Sequence, residues 1–98
     1  MELVSSDNKV LFATGRLLVT NGALEATKKV GQGLEPLIDR HMAGDWGDLE
    51  REDKVQNDEA LKLGNRVLSS YNLSDGVKVW IITEWDRSAT TILLPSDY

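Results

Sequence analysis

Val77-Lys78-Val79-Trp80-Ile81-Ile82-Thr83-Glu84-Trp85-Asp86-Arg87-Ser88-Ala89-Thr90-Thr91-Ile92-Leu93-Leu94 reads as two β-strands joined by a polar turn. β-Branched and aromatic side chains fill both arms, as a pleated and largely buried ribbon requires. Glu84 to Ser88 supplies the turn. Side chains alternate between the faces of a strand. Val79, Ile81 and Thr83 therefore share one face, and Lys78, Trp80, Ile82 and Glu84 the other. An even-residue turn sets Thr90, Ile92 and Leu94 beside the first group, and Thr91 and Leu93 beside the second.

Working outward, Asp75-Gly76 is a strong hairpin signal that joins a preceding strand, Arg66–Asn72, to Val77–Thr83. With Ala89–Leu94, closed by Pro95, these form an antiparallel meander. Helices are read upstream. Asp48 is a candidate cap for one running to about Leu63, with Glu50 and Glu52 at the positive end of its dipole. Glu50/Lys54 and Asp58/Lys62 are spaced as solvent-side pairs on that helix. Its inner stripe, Asp53, Asn57, Ala60, Leu61 and Gly64, starts with two polar residues. Facing inward, they need hydrogen-bond partners, and the amides of the Asp45–Asp48 loop are nearest in sequence.

A second helix begins at Glu35-Pro36, because proline is tolerated in a first turn. Leu34, Leu37, Ile38, His41 and Met42 make its apolar stripe. A third, Ala23 to Val30, is capped from Thr20-Asn21-Gly22. Before it, Val10 to Val19 reads as one or two short strands bent at Gly15, and Met1 to Lys9 as a polar, loose start. Strands and helices in this order predict one α+β domain over residues 1–98: a small antiparallel β-meander of three to four strands with about three helices on one face.

Composition narrows the function. No apolar run spans a bilayer and no signal-peptide pattern opens the chain, so the expected setting is cytoplasmic, without membrane contact. The absence of cysteine removes disulfides, thiol catalysis and cysteine metal sites. A net charge of −5, with 11 basic residues among 16 acidic ones, argues against direct nucleic-acid binding and against a dense acidic mimic of it.

Thr20-Asn21-Gly22-Ala23-Leu24-Glu25-Ala26, Arg40-His41, Gly44-Asp45-Trp46-Gly47, Glu52-Asp53, Asn57, Arg66, Ser69, Tyr71, Trp80 to Glu84, Asp86-Arg87-Ser88, Thr90-Thr91 and Leu93-Leu94-Pro95 carry a resemblance. Together they are similar to a small family from bacterial plasmids, integrative elements and phages, usually labelled "plasmid-related protein". The likeness runs from Gly15 onward. The family usually has proline or another residue where this chain has Asn21, and a smaller residue than Trp85. The resemblance implies a mobile-element, cytosolic setting and no activity.

The residues offer little chemistry of their own. Gly31-Gln32-Gly33 is too short for a nucleotide loop, and no nucleophile elbow or second histidine is present. His41 is expected to be buried beside the Asp45–Asp48 loop and hydrogen-bonded, with no metal and no cofactor. Trp46 is read as a core plug with a satisfied N–H. Asp45, Asp53 and Asn57 complete this structural loop cluster. Arg66, Glu84 and Arg87, with His41 as acid, would make a small barnase-like ribonuclease or toxin, but the last hairpin carries no histidine. A cross-strand salt bridge fixing the turn is the plainer reading.

Helices on one face leave the other face open. There Trp80, Ile82 and Leu93, rimmed by Glu84, Trp85, Asp86 and Arg87, make an apolar centre with a charged edge. This patch points to a protein partner or a homodimer. The alternative is that Val10–Val19 folds over it. The reading that follows is a non-catalytic interaction protein of a mobile element, modulating a host-defence or plasmid-maintenance complex by protein contact.

Overall fold

The computed structural model describes residues 10–98, and the expectation for Met1 to Lys9 lies outside them. The elements run β1 (Arg16–Val19), α1 (Asn21–Lys29), α2 (Glu35–Met42), α3 (Arg51–Leu63), β2 (Val67–Asn72), β3 (Lys78–Thr83) and β4 (Ala89–Leu93), then a short 3-10 turn, Pro95–Asp97. The α+β class holds, with the described residues forming three helices packed against a four-stranded sheet. Among the described residues no helix is long and apolar enough to cross a membrane.

The sheet is mixed, and the expected purely antiparallel meander needs correction. Its order is β1-β4-β3-β2, and β1 runs parallel to β4 with Leu17 opposite Thr90 and Val19 opposite Ile92. Helix α1 follows β1, so the chain reaches the far edge of the sheet only after all three helices. The C-terminal meander is as the alternation dictates: Ile81 faces Ser69 and Ile92, and Thr83 faces Val67 and Thr90. Only Arg16–Val19 of the Val10–Val19 stretch is a strand. The chain bends into it at Gly15, whose φ is +64°. A Cβ at Gly15 would lie 2.3 Å from the Ser88 carbonyl oxygen, so only glycine brings β1 this close to β4.

Each helix start answers to local chemistry. Thr20 caps α1, its hydroxyl accepting the Ala23 N–H at 3.1 Å and donating to Asp97 Oδ2 at 2.6 Å. That ties the first helix to the C-terminal turn. Pro36 sits in the first turn of α2, where a missing N–H leaves no bond unmade. The expected Asp48 cap of α3 does not form. Glu50 occupies that position without a side-chain bond, because Lys78 and Asn72 hold the Asp48 carboxylate at 2.9 and 3.2 Å.

The expected Glu50/Lys54 and Asp58/Lys62 pairs are also not made. Among the described residues the ion pairs are Arg40–Asp45 and Lys78–Asp48.

Two apolar clusters hold the layers together. Ala23, Leu37 and Ile38 of α1 and α2 pack on Tyr71, Leu73, Val79, Ile81 and Ile92. Trp46, Ala60 and Val67 form the second, with Phe12, Leu49 and Leu61 against them. Each large apolar side chain removed from water here contributes about 1.5–3 kcal/mol. Of the Val10–Val19 stretch, Phe12 packs on the helix side with Trp46, while Leu18 lies opposite Thr91 on the Trp80 face.

Candidate interaction surface

The lone histidine is inside. His41 is fully buried between α2 and the sheet, as its place on the stripe predicts. Its Nδ1 meets the Ser69 hydroxyl and its Nε2 lies 2.8 Å from Thr83 Oγ1. Thr83 Oγ1 in turn lies 2.7 Å from Thr90 Oγ1, which donates to the Thr14 carbonyl at 2.8 Å. Both partners are hydroxyls carried by the sheet. Phe12 and Trp46 stand edge-on to the ring, with centroids 5.3 and 5.7 Å away. Burial, helped by the nearby positive charge of Arg87, lowers the imidazole pKa to about 3, so His41 is neutral. A neutral, buried ring bonded at both nitrogens rigidifies the core and reaches no substrate.

The Glu84–Ser88 turn is built around Arg87. This residue has φ +61°, left-handed backbone that side chains other than glycine rarely adopt. The Arg87 N–H donates to the Glu84 carbonyl at 2.9 Å, and Asp86 Oδ1 accepts the Ser88 N–H at 3.1 Å. The guanidinium then reaches across to α3. Nη1 donates to the carbonyls of Asn65 and Glu84 at 2.8 and 3.0 Å, and Nη2 to Ala60 at 3.4 Å. It also lies 5.4 Å from the centre of the Phe12 ring. Arg87 thus ties the C-terminus of α3 to the hairpin, and the expected cross-strand salt bridge is not made. The ribonuclease arrangement would draw on His41, Arg66, Glu84 and Arg87, of which His41 and Arg87 both stand against the Phe12 ring. His41 is sealed, Arg87 is engaged by carbonyls, and Arg66 reaches the Tyr98 hydroxyl at 3.1 Å.

The Gly44–Gly47 loop closes the outer edge of β2. Gly47 pairs with Ser70 as an isolated parallel bridge. Ser70 donates to the Trp46 carbonyl at 3.1 Å, and the Asp48 N–H donates back to Ser70. A Cβ on Gly47, at φ +76°, would lie 2.0 Å from the Ser70 carbonyl oxygen.

Trp46 is buried and its indole N–H donates to Asp58 Oδ1 at 2.9 Å, as a core plug should. Arg40 grips Asp45 with two bonds of 2.7 and 3.3 Å and holds its carboxyl below the usual range, and the Asp45 carbonyl accepts the Tyr71 hydroxyl.

Asn57 faces inward but does not hold this loop. It continues the same edge, donating to the Leu68 carbonyl at 2.6 Å and accepting the Leu68 N–H at 3.1 Å. Asp53 is exposed and takes no part. Along the C-terminal half of α3 a cleft of about 300 Å³ is lined by Gln56, Asn57, Glu59 and, from the connection to β2, Arg66. Among the described residues no group of three or more His, Asp or Glu side chains is set to hold a metal.

The outer face of the sheet is only partly open. Ile82 and Leu93 are 4% and 5% exposed, so the expectation that they form an open apolar patch is corrected. Trp80 is half-buried. Past Pro95 the chain folds back, and the Tyr98 ring meets Trp80 edge-on at 6.0 Å while the Arg66 guanidinium stands 6.0 Å from the same Tyr98 ring. Tyr98 remains 73% exposed and Trp85, at the tip of the turn, 65%. Glu84 is half-buried and Asp86 exposed beside it. Tyr98 had no signal in the sequence: a terminal aromatic gains meaning only when the turn returns it to β3.

No family model, no curated protein and no solved structure matches this chain.

Proposed function

We propose that this chain is a non-catalytic interaction protein, seated in the cytoplasm and carried by a mobile genetic element, that binds a protein of a host-defence or plasmid-maintenance complex. The contact surface is the outer face around Trp80, Tyr98 and Arg66, with Glu84, Trp85 and Asp86 at its edge, while the Arg87 guanidinium turns to α3 and Phe12 on the helix side. Ile82 and Leu93 form its floor. One observation carries the reading: Trp85 and Tyr98 hold large aromatic rings in water, with Arg66 close to the second. Tryptophan, tyrosine and arginine are the side chains that dominate protein interfaces. The mobile-element setting rests on the family resemblance alone.

The test is quantitative capture from host cells with the full chain and with Trp85→Ala and Tyr98→Ala. The expected result is one partner complex retained by the parent chain and lost from both variants at unchanged melting temperature. Equal capture by all three would remove this surface from the reading. Cleavage of RNA or DNA by the parent chain, abolished by Arg87→Ala at unchanged fold, would replace it with the nuclease alternative.

A further inference from the structure

The two margins of the sheet are treated differently. The β2 margin is closed by Asn57 at Leu68 and by the Gly47 loop at Ser70. Among the described residues the β1 margin is open. Arg16 and Thr20 direct their N–H groups into the sheet, to the carbonyls of Ser88 and Ile92 at 3.0 Å each. Backbone groups alternate sides along a strand, so the N–H and C=O of Leu17 and Val19 point away from it. Among the described residues nothing bonds them. The side chains are apolar on both faces, with Leu17 52%, Leu18 41% and Val19 38% exposed. Free backbone groups beside exposed apolar side chains make a template for another strand.

We propose that β1 pairs with β1 of a second copy of this chain, antiparallel about a two-fold axis through Leu18. The register follows from the outward groups. With Leu18 on the axis, Leu17 exchanges both backbone bonds with Val19 of the second copy, and Val19 does the same with its Leu17. Every outward group on both strands is then satisfied. A shift by two residues leaves one of these residues without a partner in β1. A shift by one residue turns outward groups toward groups that face β4.

The same register sets Arg16 opposite Thr20 of the second copy, in the closer, non-hydrogen-bonded kind of pair. Thr20 holds the Asp97 carboxylate at 2.6 Å. The guanidinium of each copy therefore comes beside a carboxylate of the other, twice by symmetry. A self-complementary patch of this kind is what a two-fold dimer requires.

Sedimentation velocity of the full chain over a concentration series, with hydrogen exchange resolved by amide, tests this. A reversible dimer is expected, with the Leu17 and Val19 amides gaining protection as concentration rises. Leu18→Lys places two ammonium groups across the axis, and Arg16→Glu faces Asp97 with a like charge. Each should weaken self-association by about tenfold or more while circular dichroism stays unchanged. Arg16 is exposed, so its variant decides the matter even if Leu18→Lys fails to fold. A chain that stays monomeric with freely exchanging Leu17 and Val19 amides would overturn the proposal. So would a dimer indifferent to both variants, or growth into larger species.

Discussion

Replacing Asn57 by alanine should destabilise this protein far more than its size suggests. The side-chain amide of Asn57 stands in for a neighbouring strand, donating to the Leu68 carbonyl at 2.6 Å and accepting its N–H at 3.1 Å. Alanine removes both partners and leaves two backbone groups unpaired beneath α3. Each costs about 1–3 kcal/mol when stranded away from water. Leu68 is half-buried, so water recovers part of the loss, and the lower half of that range applies. The expected loss is about 2–4 kcal/mol, which lowers the melting temperature of a domain this size by roughly 10–30 °C.

Urea denaturation should show a lower midpoint at unchanged slope, the sign of altered stability without altered compactness. Asn57→Asp carries a sharper signature. Its carboxylate keeps the N–H partner but faces the Leu68 carbonyl, which raises its folded-state pKa above the unfolded value. The folded state then binds the proton more tightly, so this variant should gain stability relative to the parent as pH falls toward 4. An alanine variant within about 0.5 kcal/mol of the parent, or an aspartate variant with no such recovery, would refute the claim that Asn57 serves as a strand.

Three further outcomes are expected. Gly47→Ala drives a Cβ to within 2.0 Å of the Ser70 carbonyl oxygen and should cost about 3 kcal/mol or more; a urea midpoint equal to the parent's would mean the loop can leave the edge. His41 has a folded pKa of about 3, below its unfolded value near 6.5, so its contribution is whole above that value and lost as pH falls. The slope should approach about 1.4 kcal/mol per pH unit between the two pKa values. His41→Gln should flatten it, and an imidazole that titrates near pH 6.5 by NMR in the folded protein would contradict the account. Arg87→Gly relieves left-handed backbone that Arg87→Ala retains, so glycine should be the more stable of the two by about 1 kcal/mol. Equal midpoints would show that the turn relaxes once the guanidinium is gone.

What the sequence discloses here follows from the range of each interaction. The β3–β4 pairing is local, so alternation in Val79-Trp80-Ile81-Ile82-Thr83 and an even turn put Thr90 and Ile92 on the face of Thr83 and Ile81, where the structure has them. The Thr20 cap and the Pro36 start are local as well. Asn57 is the instructive miss. Its inward direction is legible from the helical period, but its partner is on a strand that only the tertiary fold brings near. Asp48 looks like a helix cap until Lys78, distant in sequence, takes its carboxylate. Arg16-Leu17-Leu18-Val19 has no alternation to assign a face, and both sides of that strand prove exposed. The parallel pairing of β1 with β4 has no local signal at all, because such a pairing is set by the crossover through the three helices. Of the candidate surface, Trp80 and Trp85 were in view from the hairpin, while the Tyr98 and Arg66 contacts await the folded C-terminus.

The unequal margins of the sheet also decide how far any assembly can go. A subunit with two adhesive sides polymerises, whereas one with a single adhesive side stops when that side is consumed. The Gly47 bridge and the Asn57 amide act as a built-in terminator on the β2 side. Two copies joined at β1 therefore present only capped margins to a third, and the ribbon ends at a pair. Removing the terminator while leaving β1 intact would give each molecule a head and a tail. Loss of the Asn57 amide and the Gly47 bridge together would then appear at high concentration as a passage from finite particles to filaments.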